Sequence, residues 1–210
     1  QKTFTQTTNR NFYFRTGTNY KLSKKSNLLF NYNLNLANDR FVNESSTIGT
    51  GIDYTNNSLA KNKNNNHEIS LQYKTKLDTI GRTLDIVAFS NFFDKNPITI
   101  SNGLSNAMPS FYNGAVDFTL TNYYLKYDFA FPFEKINFSF NTGGKFNILR
   151  INNTGVYNLN TTANSITDFD YTENNLAFYV EARKKIKKFN FTAGIRFEDF
   201  KVDRMAIQDN

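Results

Sequence analysis

Cysteine is absent from the 210 residues, which removes disulfide scaffolds, cysteine-rich zinc sites and thiol chemistry at one stroke. Tryptophan is absent too, His67 is the sole histidine, and the 3 prolines and 10 glycines are too few for a fibrous or disordered chain. No stretch approaches the roughly 18 consecutive apolar residues of a membrane helix, so any crossing of a bilayer has to be made by strands. The opening residues QKTFTQTTNR hold no basic stretch followed by an apolar one. This segment therefore shows no signal peptide, which has either been removed or lies elsewhere in a longer protein.

Aromatic residues are abundant, Phe 22 and Tyr 12, and they are interleaved with Asn, Thr and Ser. Hydrophobic residues make up 39% of the chain, enough to bury an apolar surface, yet the mean hydropathy is -0.56 because apolar and polar residues are dispersed among one another. A net charge of +7 raises the question of nucleic acid. The cations, however, do not form one face. Lys24 and Lys25, and Lys184, Lys185, Lys187 and Lys188, sit at breaks between alternating segments and read as solvated turns, since a phosphate-tracking groove needs many more clustered cations. Nucleic acid is not an expected partner.

The dominant signal is alternation with a period of two, the mark of a strand with one apolar face. Leu176, Phe178, Val180 and Ala182 alternate with polar neighbours, and beyond the basic turn Phe189, Phe191, Ala193, Ile195 and Phe197 do the same. That is a hairpin. A second runs Tyr123, Leu125, Tyr127, Phe129 and Phe131, then Ile136, Phe138, Phe140, Gly144, Phe146 and Ile148, with Pro132 suited to the PFEK turn. A third joins Ile69, Leu71, Tyr73, Thr75 and Leu77 to Leu84, Ile86, Ala88 and Phe92 past Gly81. The first in sequence joins Phe12, Phe14, Thr16, Thr18, Tyr20 and Leu22 to Leu28, Phe30, Tyr32, Leu34 and Leu36 across SKKSN.

About eight antiparallel strands in four tight hairpins are thus expected, linked by long polar segments at 38–66, 94–114 and 151–170. Short turns on one rim and long loops on the other are the habit of up-and-down outer-membrane barrels, with the short turns periplasmic. The alternating runs are also longer than the five or six residues usual in soluble sheets and suit the roughly 9–11 residues of a tilted membrane strand. Chemistry assigns the faces. The apolar set just named, Phe12 through Phe197, faces lipid. The set Arg15, Asn31, Lys74, Lys126, Asp128, Lys145, Glu181, Arg183, Arg196 and Glu198 faces a lumen, because hydrocarbon cannot solvate it. Tyr20, Phe131 and Phe189 stand beside the short turns, where an interfacial aromatic girdle belongs.

A register follows if the basic turn centres near Ile186 and Lys187. Phe178 then opposes Ile195, Val180 opposes Ala193, and Tyr179 opposes Gly194, with the ring lying over the bare backbone. With Phe131 opposite Ile136, the same logic sets Tyr124 against Gly143.

The residues quoted resemble the outer membrane protein β-barrel family of TonB-dependent receptors of the Bacteroidetes type. YDFAFPFEKINFSFNTGGKF resembles that family's strand, short turn and Gly-containing strand. In FDYTENNLAFYVEARKKIKKFNFTAGIRFEDF, the residues Tyr171, Glu173, Ala177, Tyr179, Gly194, Arg196 and Glu198 match its most recognisable hairpin. The resemblance is strongest from about residue 124 onward. It implies an internal wall segment of a barrel of about 22 strands, consistent with the lack of a plug, a TonB box or a terminal aromatic in this segment. It also implies outer-membrane lipid, a plug domain, the TonB system and a scarce small nutrient (siderophore, glycan or peptide) as partners. A self-contained eight-stranded barrel acting as adhesin or anchor, and a soluble β-sandwich, are the competing readings.

No enzyme chemistry and no cofactor is expected. His67 reads as a solvated loop residue rather than a base or metal ligand, and Asp168, Asp170 and Glu173 lack the glycine and terminal glutamate of an EF-hand loop. TGGK at 142–145 lacks the full phosphate-loop spacing and has no helix after it. Its glycines read instead as places where a bulky neighbour crosses the backbone.

Overall fold

The computed structural model describes residues 2–49, 52–106, 108–160 and 163–209. Alternation becomes strand throughout. β1 (Lys2–Lys21), β2 (Ser26–Gly49), β3 (Ile52–Lys76), β4 (Thr83–Lys95), β5 (Ile98–Ser105), β6 (Met108–Phe133), β7 (Phe138–Leu159), β8 (Ala163–Ile186) and β9 (Phe189–Asp209) form one antiparallel sheet. Each strand pairs with its sequence neighbours, except that β4 and β5 both lie between β3 and β6.

β4 and β5 are one line broken at a proline. Lys95 pairs with Asn64 and Ile98 with Lys61, an unshifted register across Asn96 and Pro97. Pro97 has no N–H to give to the ladder, yet its carbonyl accepts from Val116 at 3.0 Å, and the Asn96 N–H reaches the Lys63 carbonyl at 3.0 Å. Nine segments therefore occupy eight positions, the number the alternation predicts. Among the described residues no pairing joins β1 to β9.

The links expected as long polar loops are strands instead. β2 and β3 stay paired from Ser26 and Thr75 up to Gly49 and Ile52, and β7 and β8 from Phe138 and Lys184 up to Leu159 and Ala163. The prediction of loops at 38–66, 94–114 and 151–170 is corrected to strand at every described residue there except Asn96, Pro97, Asn106 and Asn160, while 50–51, 107 and 161–162 lie outside the described residues. Lack of apolar alternation marks where the sheet leaves an apolar surrounding. It does not mark where backbone pairing stops, because a ladder satisfies N–H and C=O groups on a wet sheet as well as on a dry one.

At the other rim the turns are short and chemically defined. The Asp78 carboxylate accepts from the Ile80 and Arg82 N–H groups at 3.0 and 3.1 Å, and Gly81 supplies a φ of 95°. A 3-10 turn, Glu134–Ile136, ends on Asn137 in the left-handed region, whose N–H bonds the Glu134 carbonyl. Lys187, at φ 54°, opens a two-residue turn that closes on the Ile186–Phe189 pair.

Among the described residues no second layer covers this sheet. Ala177, 2% exposed, is the one buried hydrophobic side chain of the described residues, whereas Ile195 is 82% and Phe197 62% exposed. A soluble sandwich would bury such residues between two sheets about 10 Å apart, so that reading fails.

Candidate functional site

The register sorts every side chain onto one of two faces. Following it from Phe14 opposite Leu34 through Tyr32 opposite Ile69, Leu71 opposite Ala88, Ile86 opposite Tyr127, Leu125 opposite Phe146, and Gly144 opposite Phe178 to Val180 opposite Ile195 keeps the apolar set together. Phe12, Phe30, Leu34, Tyr73, Phe129, Phe138, Phe140, Phe191 and Phe197 share that face. The apolar run from Phe138 to Ile148 on β7, at about 3.3 Å per residue and a tilt near 45°, spans roughly 25 Å. That equals the apolar band of outer-membrane barrels.

The opposite face collects the polar set, and ion pairs knit it together. Lys74 lies 3.9 Å from its cross-strand partner Asp85, Lys126 2.7 Å from Asp128, and Arg183 2.6 Å from Glu181, while Arg196 pairs with Glu198. Asp85 also accepts from Gln72 at 2.8 Å, Glu181 from Asn141 at 3.3 Å and Glu68 from Asn33 at 3.0 Å. Asn31 donates to Ser70 at 3.3 Å, Arg15 stands opposite Asn33, and the Lys145 ammonium sits 4.7 Å from the centroid of the Tyr124 ring. A trough of about 350 Å³ lined by Lys74, Asp85, Asp128, Tyr179, Glu181 and Arg183 lies among them. Exposed pairs of this kind stabilise a fold by about 0–1 kcal/mol at most, so their use is to make a wettable surface. Asp85, Glu68 and Gln72 belong to this face and were not singled out from the sequence, although their parity along the strand marks them.

Two glycines organise the middle of the sheet. A Cβ on Gly143 would stand 2.5 Å from the Tyr127 carbonyl oxygen and 2.8 Å from Asp128 Oδ1, and would collide with Cε1 of Tyr179. The Tyr179 ring crosses this bare backbone and its hydroxyl donates to Asp128 at 2.6 Å. On the other face a Cβ on Gly144 would meet Tyr127 at 2.8 Å and Phe178 at 2.9 Å.

The expected tyrosine–glycine partners are therefore corrected. Tyr179 opposes Arg196 on β9 and Gly143 on β7, Gly194 opposes Glu181, and Tyr124 opposes Asn147. The basic turn consists of Lys187 and Lys188, so Val180, not Phe178, faces Ile195. A turn one residue earlier would set Lys185 against Lys188, and like charges directly opposite are unfavourable. At the other hairpin the loop is Glu134 to Asn137, so Phe131 faces Phe140 rather than Ile136, and Pro132 sits in β6 opposite Ser139. Both slips are even, so no residue changes face.

His67 lies in β3, not in a loop, and its Nδ1 is 2.9 Å from the Tyr32 hydroxyl. Asp168 and Asp170 lie in β8 rather than a loop and share one face, bonded by Thr154 at 3.1 Å and Asn152 at 2.6 Å. Glu173 is on the opposite face, where it accepts from the Tyr171 hydroxyl at 2.8 Å. That bond holds the Tyr171 pKa above its ordinary value. TGGK is likewise part of β7.

Comparison with known proteins agrees with this architecture. A family described as the outer membrane protein beta-barrel family matches residues 75–210. Comparison with curated proteins finds no sequence match. Among solved structures, the ferripyoverdine receptor of the outer membrane of Pseudomonas aeruginosa is similar over 99% of this chain and 38% of its own, with a TM-score of 0.53 and 8% identity. The alcaligin outer-membrane receptor of Bordetella pertussis covers 98% of this chain and 37% of its own, with a TM-score of 0.49 and 12% identity. The RagAB peptide transporter covers 96% and 37%, with a TM-score of 0.40 and 8% identity. The chain thus spans about two-fifths of the length of these structures.

Proposed function

Because the chain belongs to the outer membrane protein β-barrel family, we propose that it is a stretch of the wall of a TonB-dependent receptor that imports a scarce nutrient. The observation that carries this reading is the continuous division of eight strand positions into an apolar face and an ion-paired one. The apolar face, with Phe30, Leu71, Leu125, Phe178 and Ile195, meets membrane lipid. The charged face, with Lys74, Asp128, Glu181, Arg183 and Arg196, turns to the lumen, where it lines the path or contacts a plug domain. The short turns are periplasmic, and the extended polar ends of β2, β3, β6, β7 and β8 rise above the outer surface.

Among the described residues the edges of β1 and β9 carry no pairing, which supports a wall segment over a self-contained eight-stranded anchor, since closure would pair them. Siderophore, glycan and peptide are the candidate cargoes, the first and last being named with the similar structures. The test is uptake by intact cells of labelled iron–siderophore, oligosaccharide and oligopeptide, with and without the gene encoding the whole protein, and with the proton-motive force collapsed. Loss of one cargo under both treatments is expected. Unchanged uptake of all three supports the anchor instead.

A further inference from the structure

The net charge of the chain has one location. Within two residues of the four short turns, in segments 20–27, 75–84, 132–139 and 185–190, stand nine cations and two carboxylates, Asp78 and Glu134. Their balance equals the +7 of the whole chain, and the sequence outside these segments carries sixteen cations and sixteen carboxylates. The matching windows at the far ends of the strands, 48–53, 104–109 and 158–164, hold a single charged residue, Asp53.

Backbone joins the short turns into one rim. The Lys76 N–H at the end of β3 donates to the Lys25 carbonyl of the first turn at 2.9 Å, and the Lys185 N–H of β8 donates to the Asn137 carbonyl of the third at 3.0 Å. Arg82, in the second turn, lies over the Phe131 ring of β6, 5.9 Å from its centroid. Neighbouring turns are two strands apart, about 10 Å. That is close to the screening length of about 10 Å in 0.1 M salt, so the rim acts as one field. Among the described residues, the ion pairs include just one of its nine cations, Arg82, which pairs with Asp78 at 3.3 Å.

The strand ends show from which side an anion comes. Lys21, Lys76 and Lys185 stand an even number of residues from Arg15, Lys74 and Arg183 on their own strands, so they share the charged face and not the lipid-facing one. Lys24, Lys25, Lys187 and Lys188 are exposed at the tips of their turns. The rim is therefore approached from the barrel mouth, beyond the membrane plane. Its chemistry points the same way. Eight of its nine cations are lysine, against nine lysines and seven arginines elsewhere, and lysine acts as a point charge, without the paired donors that fit arginine to phosphate. Charged tips in a row, about 10 Å apart, match an extended polymer with spaced carboxylates more closely than one compact anion. We propose that this lysine rim binds the peptide-stem carboxylates of peptidoglycan, the cell-wall polymer of the periplasm, and tethers the barrel mouth to it. The proposal rests on the short turns being periplasmic.

The test sediments the whole protein, held in phosphatidylcholine nanodiscs, with purified peptidoglycan sacculi whose carboxylates are free or amidated. Insertion is scored first, by co-elution with the disc. Each exposed ion pair contributes roughly twofold, so the K24Q/K25Q/K187Q/K188Q variant should bind free sacculi about fifteenfold more weakly. Arginine at the same four positions should preserve binding, as should R10A/R40A/K61A/K63A, which removes equal charge away from the rim. Binding should be lost in about 0.5 M salt. Equal binding by the glutamine variant, or equal binding of amidated sacculi, would overturn the site. Binding to phosphatidylglycerol vesicles or to polyglutamate, but not to sacculi, would also overturn it, in favour of a lipid or an acidic protein. Thr79→Cys, in a chain without other cysteines, should resist a membrane-impermeant maleimide on intact cells. Its labelling would refute the periplasmic placement of the turns, separately from the affinity of the rim.

Discussion

Tyr179, Gly143 and Asp128 form a unit in which a ring lies across bare backbone and anchors its hydroxyl on a carboxylate. A methyl group at Gly143 would strike the Tyr127 carbonyl, which belongs to a ladder and cannot swing away. Gly143→Ala should therefore cost about 1–3 kcal/mol, as overpacking does. Gly194→Ala should cost less, since its nearest neighbour, the Val180 carbonyl, stands 3.1 Å from the Cβ position. Urea titrations of the two variants refolded in lipid compare them directly, and an equal cost would remove the special role of Gly143. At this scale the residue types were legible but not their partners. Tyr179 and Gly143 are both conspicuous in the sequence, yet which tyrosine meets which glycine depends on turns whose length side-chain chemistry alone did not determine.

Strands and their faces were more legible than their ends. Period-two patterning survives any even slip, so the apolar and charged sets of β8 and β9 hold although the Lys187–Lys188 turn moves each pair. The register itself is testable by cross-linking. Ala182 and Ala193 are direct partners, and antiparallel partners have Cα atoms about 4.5–5.5 Å apart, within disulfide reach. The variant with cysteines at both positions should oxidise to a disulfide in the folded protein, and cysteines replacing Ala182 and Phe191 should not. The reverse pattern, read on reducing and non-reducing gels, would restore the earlier turn. The polar upper halves of β2, β3, β7 and β8 were hidden from sequence because a sheet with water on both sides has no apolar face to alternate.

For the molecule as a whole, a single sheet whose large apolar side chains stay exposed is stable only where something other than water covers them, and the height of the band matches hydrocarbon. The central claim is that this face meets lipid and the ion-paired face meets water. Spin labels placed one at a time from Asn174 to Lys184 in the whole protein, reconstituted in bilayers, test it most directly. Oxygen, which concentrates in hydrocarbon, should collide most with labels at 176, 178, 180 and 182. A water-soluble nickel chelate should collide most with those at 177, 179, 181 and 183. Alternation of the opposite phase, or equal accessibility of the two sets, would contradict the assignment of the faces.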